Sequence, residues 1–162
     1  MDWAEVINHP SLQDLPFKIE TNKFGQVLKT RQKVRRSIIR GEMNYLLQQQ
    51  NSSGLTITNC AIRTSKGTKG ADVDWASMEI IQKIKDETDA SIAPEICVEV
   101  VSMSNTNREM ETKRRLYFEK GAQEVWICNE YGEVGFFNDT GEIEESVWFP
   151  EFPKKISIGN EN

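Results

Sequence analysis

A carboxylate in the middle of an apolar strand is the feature that most constrains how this chain can fold. Glu99 lies in the run Ile96-Cys97-Val98-Glu99-Val100-Val101, whose other residues predict a strand buried on both faces. An ionised carboxylate is almost never fully buried unless an arginine, a lysine or a metal ion compensates its charge. The fold must therefore bring positive charge to Glu99.

Two more carboxylates lie on a short strand that is predicted upstream of that run. In Ala71-Asp72-Val73-Asp74-Trp75 the aspartates alternate with other residues, so Asp72 and Asp74 share one face of the strand. Asp72 is the stronger candidate ligand because it lies near the strand start, beside a turn predicted at 66–70. Asp74 is interpreted as a solvated or helix-capping carboxylate before Ser77.

A lysine on the following helix is a candidate partner for Glu99. Thr106 and Glu109 form a capping-box pattern that predicts a helix running to Lys120. On this helix Lys113 falls on the inward-facing stripe. A lysine in that position either extends its ammonium past the apolar rim or directs it at a buried anion. Because Glu99 lies on the strand that leads into the helix, we interpret Lys113 as directed at the anion.

The helix predicted over 34–50 carries a further acid. Its apolar face is predicted to consist of Val34, Ile38, Tyr45 and Leu46. Glu42 projects between members of that face. This acid either pairs with a basic neighbour such as Arg35 or with a backbone amide, or it supplies a third carboxylate near a metal ion.

Charge is unevenly distributed along the chain. The net charge of −5 on 162 residues argues against indiscriminate nucleic-acid binding. Between residues 29 and 40, however, every charged residue is basic: Lys29, Arg31, Lys33, Arg35, Arg36 and Arg40. Such a patch is often only the solvated start of a helix, but it can also hold a phosphate backbone. The candidate nucleic-acid contacts are Arg31, Lys33, Arg35 and Arg36.

Composition is that of an ordinary globular protein, with 38% hydrophobic and 28% charged residues. No apolar stretch approaches the length of a membrane span and the amino terminus lacks the plan of a signal peptide, so we expect a cytoplasmic location. Cys60, Cys97 and Cys128 are too widely spaced for a CxxC zinc site and lie in apolar segments. They are predicted to be buried, reduced thiols.

We expect a single domain over residues 1–162, with an N-terminal helix or arm at 1–14 and a tail at 147–162 that forms an edge strand or an irregular cover. The elements predicted between them are a hairpin at 17–28, a helix at 34–50, strands at 55–64 and 71–76, a polar helix at 76–89, the Glu99 strand, a helix at 106–120, and strands at 124–128 and 134–137. This order predicts an α/β fold with a central mixed sheet flanked by helices.

The charged segments resemble the PD-(D/E)XK nuclease superfamily and, within it, the Uma2 group of restriction-endonuclease-like proteins. The matching stretches are 71–75, 93–104, the helix residues Glu109, Lys113 and Tyr117, and 121–127. The hairpin and the first long helix are also similar, so the resemblance extends over residues 15–140. It implies a restriction-endonuclease-like core and an endonuclease that hydrolyses phosphodiester bonds of DNA.

The resemblance also implies roles for three residues. Asp72 and Glu99 would bind Mg²⁺ or Mn²⁺, and Lys113 would be the catalytic lysine. Because Mg²⁺ prefers oxygen ligands and keeps several waters, the backbone carbonyl of Val100 is a candidate further ligand. The metal would lower the pKa of a bound water and neutralise charge on the phosphate.

The chain departs from the family pattern at two positions. Ala71 stands where the family has proline before the first acid, and Val101 stands where a lysine is expected two residues after Glu99. The resemblance implies that the lysine has moved to the following helix, where Lys113 lies.

Two alternatives to an endonuclease stay open. The chain could be a binding or regulatory module that keeps the nuclease fold without its chemistry, and the net negative charge favours that. Glu99 and Lys113 could also form a purely structural ion pair. For an endonuclease we expect a homodimer, because two sites are the simplest way to cut both strands of a duplex.

Overall fold

The computed structural model describes residues 1–15, 17–31, 33–51 and 53–159, apart from the side chain of Arg31. The helices are α1 (Trp3–Asn8), α2 (Val34–Gln50), α3 (Met78–Ile84) and α4 (Asn107–Glu119), with a short 3-10 turn at Pro10–Leu12. The strands are β1 (Phe17–Thr21), β2 (Val27–Arg31), β3 (Gly54–Thr64), β4 (Gly67–Ser77), β5 (Ile96–Val100), β6 (Glu124–Cys128), β7 (Val134–Asn138) and β8 (Gly141–Ile143).

Six strands form one mixed sheet in the order β3-β4-β5-β6-β7-β8. β5 and β6 are parallel, with α4 as the connection between them, and the other neighbours are antiparallel. β1 and β2 form a separate hairpin that contacts β4. The predicted α/β fold with a central mixed sheet flanked by helices is confirmed.

The sheet separates two apolar clusters. On one face, α2 packs through Ile39, Met43 and Leu47 in a cluster that also contains Trp75 and Trp126. On the other face, residues of α3 and α4 join a second cluster with apolar side chains of β3 to β6. Every residue of β5 is buried, as the apolar run predicted. The buried faces of a mixed sheet are covered by helices, which is how such a strand avoids water.

The three cysteines are buried and unpaired, as predicted. Within the part of the chain that the structure describes, no helix is long and apolar enough to cross a membrane.

Several predicted boundaries differ from the structure. The turn expected at 66–70 is much tighter, because β4 pairs with β3 up to the Thr64–Gly67 pair. Gly67 has φ +93°, and a Cβ there would lie 2.4 Å from backbone oxygens of the β1 end, so a side chain is excluded. The polar helix expected at 76–89 is limited to α3, and β8 was not predicted.

The predicted apolar face of α2 is wrong for three of its four residues, whereas the fourth, Leu46, is partly buried against the core. Val34, Ile38 and Tyr45 are exposed, whereas the fully buried residues are Ile39, Met43 and Leu47. The buried set recurs at every fourth position, which lies along one side of a helix. The helix carries apolar residues on two sides. The side that packs against the sheet is the one that the residue spacing did not favour.

The tail is an irregular cover, one of the two forms that were predicted for it. Phe149, Phe152 and Ile156 are buried in the α2-side cluster. The Phe152 ring lies 4.6 Å from the Trp126 ring, centroid to centroid. The last described segment therefore closes the core over β6 and β7.

We expect Phe152→Ala to destabilise the protein by about 3 kcal/mol or more, because it removes a buried ring and leaves a cavity against Trp126. Urea unfolding measures the free-energy change. Val147→Ala is the matched control, since Val147 lies in the same segment but is 82% exposed. Equal stability of the two variants would show that the tail does not seal the core.

Candidate functional site

Glu99 projects from β5 into a set of positive and hydroxyl donors. Its side chain is 1% exposed. Its Oε1 accepts hydrogen bonds from the Tyr117 hydroxyl at 2.6 Å and from Lys113 Nζ at 3.3 Å, both on α4. Its Oε2 accepts from Lys18 Nζ at 3.0 Å, on β1. The requirement for positive charge at this buried acid is therefore met by two lysines.

Asp72 reaches the same place from β4. The backbone pairing of β4 with β5 runs from the Trp75–Ile96 pair to the Val73–Val98 pair. Beyond it, Asp72 Oδ2 accepts a hydrogen bond of 2.8 Å from the backbone N–H of Val100. The side chain thus supplies an acceptor where the two strands stop pairing, which fixes the carboxylate beside Glu99.

Lys18 joins the two acids. Its Nζ lies 3.2 Å from Asp72 Oδ1 and 3.0 Å from Glu99 Oε2, and its side chain is only 4% exposed. Sequence reasoning did not identify this residue. The available signal was weak: Lys18 and Glu20 are opposite charges on one face of β1, and a charged strand face normally points to solvent. Here both charged residues are buried and Ile19, the residue between them, is partly exposed.

Glu20 extends the network on the same side. Its Oε2 accepts hydrogen bonds of 2.8 Å from Lys113 Nζ and from the backbone N–H of Gly70. Lys113 therefore bridges Glu20 and Glu99, and Glu20 is a second residue that sequence reasoning missed. The inward orientation of Lys113 agrees with its predicted stripe.

Two arginines of α2 approach Asp72 from the other side. Arg36 Nη2 lies 3.5 Å from Asp72 Oδ2, and Arg40 Nε lies 4.0 Å from Oδ1. Arg36 also donates a hydrogen bond to the backbone carbonyl of Val100. Arg36 was predicted to contact nucleic acid; it binds these two groups and also lines a cleft, and the nucleic-acid contact stays a prediction. The carbonyl predicted as a metal ligand is already an acceptor for this arginine.

The charges of the cluster stabilise one another. Burial opposes ionisation of Glu99, but the ammonium groups of Lys113 and Lys18 and the Tyr117 hydroxyl lower its pKa to about 2. Burial alone would lower the pKa of Lys18, yet Glu99 and Asp72 raise it above the ordinary value. Burial and the charge of Glu99 raise the pKa of Tyr117 well above its usual range, so Tyr117 is a donor. Glu99 is therefore an anion at neutral pH.

Two other predicted acids lie outside this arrangement. Glu42 is exposed, on a part of α2 that does not pack on the sheet, so the expectation of a third acid at the site is wrong for this residue. Asp74 was predicted to be solvated or to cap a helix, but it is fully buried. Ser77 caps α3 with its own hydroxyl.

The remaining predicted nucleic-acid contacts lie at the start of α2. Arg35 donates to the backbone carbonyl of Glu130 at 3.1 Å, and the exposed Lys33 lies 3.8 Å from the Glu130 carboxylate. The side chain of Arg31 lies outside the described part of the chain. Lys33 and Arg35 line a cleft of about 620 Å³, which meets a second cleft at Arg36.

The second cleft, of about 580 Å³, contains the site, and we call it the Glu99 cleft. Its cationic lining residues are Lys18, Arg36, Lys66, Lys69, Arg108 and Lys113. Only three carboxylates, those of Glu20, Glu99 and Glu109, line it with them. An acidic chain thus presents one cleft with an excess of positive charge, which suits a phosphate group.

The oxygen atoms that could bind a divalent cation at this site are already occupied by protein groups. Asp72 and Glu99 converge, but the Lys18 ammonium lies between their oxygens and the Val100 carbonyl is bonded to Arg36. Among the described residues there is no group of three or more His, Cys, Asp or Glu side chains that could hold a metal ion. The residues do not fit a divalent cation together with Lys18.

Comparison with known proteins gave a match to a family profile and matches to solved structures. Residues 25–149 match a family profile described as "Uma2: Putative restriction endonuclease". The fold is similar to the crystal structure of "a putative nuclease belonging to DUF820" from Anabaena variabilis ATCC 29413, with a TM-score of 0.65 over 85% of this chain and 79% of that chain. The two sequences are 13% identical, so this likeness concerns the fold. No curated protein matches the sequence.

The buried carboxyl group of Asp74 makes the stability of the protein depend on pH. Neither of its carboxyl oxygens makes a hydrogen bond of ordinary geometry with the described residues. Burial raises the pKa of Asp74 well above its usual range, and the nearby Cys97 thiol offsets this in part. The folded state therefore holds a proton that the unfolded state loses above about pH 4. The free energy of unfolding therefore falls as pH rises from about 4 towards the pKa that Asp74 has in the folded state.

We expect Asp74→Asn to stabilise the protein relative to the wild type, by an amount that grows with pH by up to about 1.4 kcal/mol per unit. Urea unfolding across the range from about pH 4 to pH 8 measures it. Asp86→Asn is the control because Asp86 is exposed. A difference that does not change with pH would contradict a protonated Asp74.

Proposed function

The chain belongs to the Uma2 family of restriction-endonuclease-like proteins, and on that premise we propose that it is a nuclease that hydrolyses phosphodiester bonds of DNA in the Glu99 cleft. The observation that carries this proposal is the contact of Lys113 with Glu99 at 3.3 Å, next to Asp72, in a cleft whose charged lining residues are mostly cationic. These three residues come from α4, β5 and β4.

Lys113 is the residue best placed to act on a phosphate. Its side chain is 16% exposed and lines the cleft, whereas the Glu99 side chain behind it is almost completely buried. Phosphodiester hydrolysis builds up negative charge on the phosphoryl oxygens, and an ammonium that is already fixed in place stabilises that charge. Lys113 is fixed by its contacts with Glu20 and Glu99.

Glu99 has a positioning role in this proposal. Both its oxygens accept hydrogen bonds, and its pKa of about 2 makes it a very weak base. It therefore holds Lys113 and Lys18 in place and does not take a proton from the attacking water. Asp72 holds the end of β5 through Val100.

Recognition of DNA would come from the cationic rim of the cleft. Lys66, Lys69 and Arg108 line it beside Lys113 and provide charge for the phosphate backbone without reading the bases. The overall charge of −5 disfavours binding of DNA elsewhere on an acidic surface.

Magnesium- or manganese-dependent endonucleolytic cleavage is the specific form of this activity that the family resemblance implies, and a homodimer is the simplest way for it to cut both strands of a duplex. Because the donors fit a divalent cation poorly, cleavage is measured both with a divalent cation and without one. Linear plasmid as a first product would support two sites acting together, and nicked plasmid would support a single site.

A second candidate function is DNA binding without cleavage. The Lys18 ammonium between Asp72 and Glu99 favours it, because it neutralises the two acids that the family mechanism assigns to a metal ion. The same cationic cleft would then hold the backbone of DNA and leave it intact.

Cleavage of supercoiled plasmid tests the first candidate. We expect Lys113→Met to lower the cleavage rate by about 100-fold or more, because it removes an ammonium that stabilises the transition state. Lys83→Met is the matched control, since Lys83 lies on α3 and pairs with Glu79 away from the cleft. The reactions are run with Mg²⁺ and with EDTA.

Equal cleavage by wild type and Lys113→Met would contradict the proposed site, and no cleavage by wild type under any condition would leave DNA binding as the function. Loss of cleavage in EDTA would support the cation-dependent form. Circular dichroism confirms that the variants fold.

DNA binding in EDTA tests the second candidate. We expect Arg108→Gln to weaken binding of a duplex and to reduce the slope of log affinity against log salt by about one, because one phosphate contact is lost. Fluorescence anisotropy over a salt series measures both. Lys83→Gln is the control, and an unchanged slope for Arg108→Gln would place the DNA elsewhere.

A further inference from the structure

We propose that the Lys18 ammonium takes the place of a divalent cation between Asp72 and Glu99, so that this site is assembled without a metal ion, and that the chain without this ammonium would bind a divalent cation there. The inference goes beyond the proposed nuclease activity and concerns the ground state of the site.

The Lys18 ammonium occupies the point at which an ion shared by Asp72 and Glu99 would lie. Lys18 Nζ lies 3.2 Å from an Asp72 oxygen and 3.0 Å from a Glu99 oxygen, so carboxylates from two different strands face one nitrogen. A magnesium ion shared by the same two oxygens would lie about 2.1 Å from each. The ammonium and the ion would overlap, and both are positively charged. They cannot occupy this point together.

Burial is the second argument. The Lys18 side chain is 4% exposed, and the Asp72 and Glu99 side chains are 0% and 1% exposed. An exposed lysine could swing into solvent and leave the acids to an incoming ion. A buried lysine that moves away leaves two carboxylates uncompensated on that side, which is strongly unfavourable in a buried site.

The surrounding charges are the third argument. Lys113 contacts Glu99, and Arg36 and Arg40 approach Asp72 within 4.0 Å. With Lys18, four cationic groups already face the carboxylates of Asp72, Glu99 and Glu20, and Lys18 lies between Asp72 and Glu99. A further divalent ion would meet repulsion from all of them. The Val100 carbonyl, which could have been a neutral ligand, accepts from Arg36.

Removal of the Lys18 ammonium should allow a divalent cation to bind between Asp72 and Glu99. Asp72 Oδ1 is buried and makes no hydrogen bond of ordinary geometry with the described residues, so Lys18 acts on it mainly through charge. Methionine has a similar length and no charge. In Lys18→Met the two carboxylates would face each other across the space left by the ammonium, and an oxygen-preferring divalent cation would compensate them.

Calorimetric titration with MnCl₂ in the absence of DNA tests this. We expect no site-specific manganese uptake by the wild type, stoichiometric uptake by Lys18→Met, and loss of that uptake in Lys18→Met combined with Asp72→Asn. Lys69→Met is the matched control: Lys69 lines the same cleft, but its ammonium donates to the backbone carbonyl of Thr21. It should behave as the wild type does.

Two results would overturn the inference. One is stoichiometric manganese binding by the wild type that Asp72→Asn abolishes, which would show that the ion displaces Lys18. The other is a folded Lys18→Met that binds no manganese. If Lys18→Met does not fold, the wild type still decides: electron paramagnetic resonance that detects Asp72-dependent bound Mn²⁺ overturns the inference, and only free Mn²⁺ supports it.

The manganese titration and the plasmid cleavage assay can fail independently of each other. Manganese uptake is measured without DNA, whereas plasmid cleavage is measured with Lys113→Met as its diagnostic variant. Wild-type cleavage that persists in EDTA agrees with both proposals. Cleavage that requires Mg²⁺ supports the nuclease and counts against Lys18 as the substitute for a cation.

Discussion

Compensation of the buried charge of Glu99 is the interaction on which the rest of this structure depends. Its donors come from β1 and α4, and the neighbouring Asp72 comes from β4 and draws in two arginines of α2. Two neighbouring acids thus link the hairpin, the sheet, α2 and α4. A buried ion cluster is weak evidence of net stability, but loss of a single member leaves its partners unpaired. The arrangement is therefore specified as a whole.

The same contacts that satisfy the acids also limit the chemistry. In the family to which the chain belongs, the acids are expected to serve a metal ion. Here each acid already contacts the Lys18 ammonium, and the adjacent Val100 carbonyl already accepts from Arg36. What stays accessible is the Lys113 ammonium at the edge of a cationic cleft. Under the proposed function, protein groups alone would bind a phosphodiester there and stabilise its charge.

The sequence was a good guide wherever local pattern and burial agreed. The apolar run around Glu99 and the stripe on α4 predicted a buried strand and an inward Lys113, and the order of elements predicted the mixed sheet. Lys18 and Glu20 escaped notice because alternation shows that two residues share a face but not whether that face meets the sheet or water. Asp74 and the apolar face of α2 were misjudged for a related reason. Tertiary packing chooses between two faces that the sequence makes nearly equivalent.

The attachment of the β1–β2 hairpin has a consequence for the dynamics of the protein. The hairpin is not part of the large sheet, and polar bonds hold it there: the Thr68 N–H to the Thr21 hydroxyl, Lys69 to the Thr21 carbonyl, and the Gly70 N–H to Glu20. Segments fastened in this way open locally while an apolar core stays closed. Opening of the hairpin would carry Lys18 away from both acids at once, so the strength of these polar bonds, more than core packing, should govern how often Asp72 and Glu99 meet water.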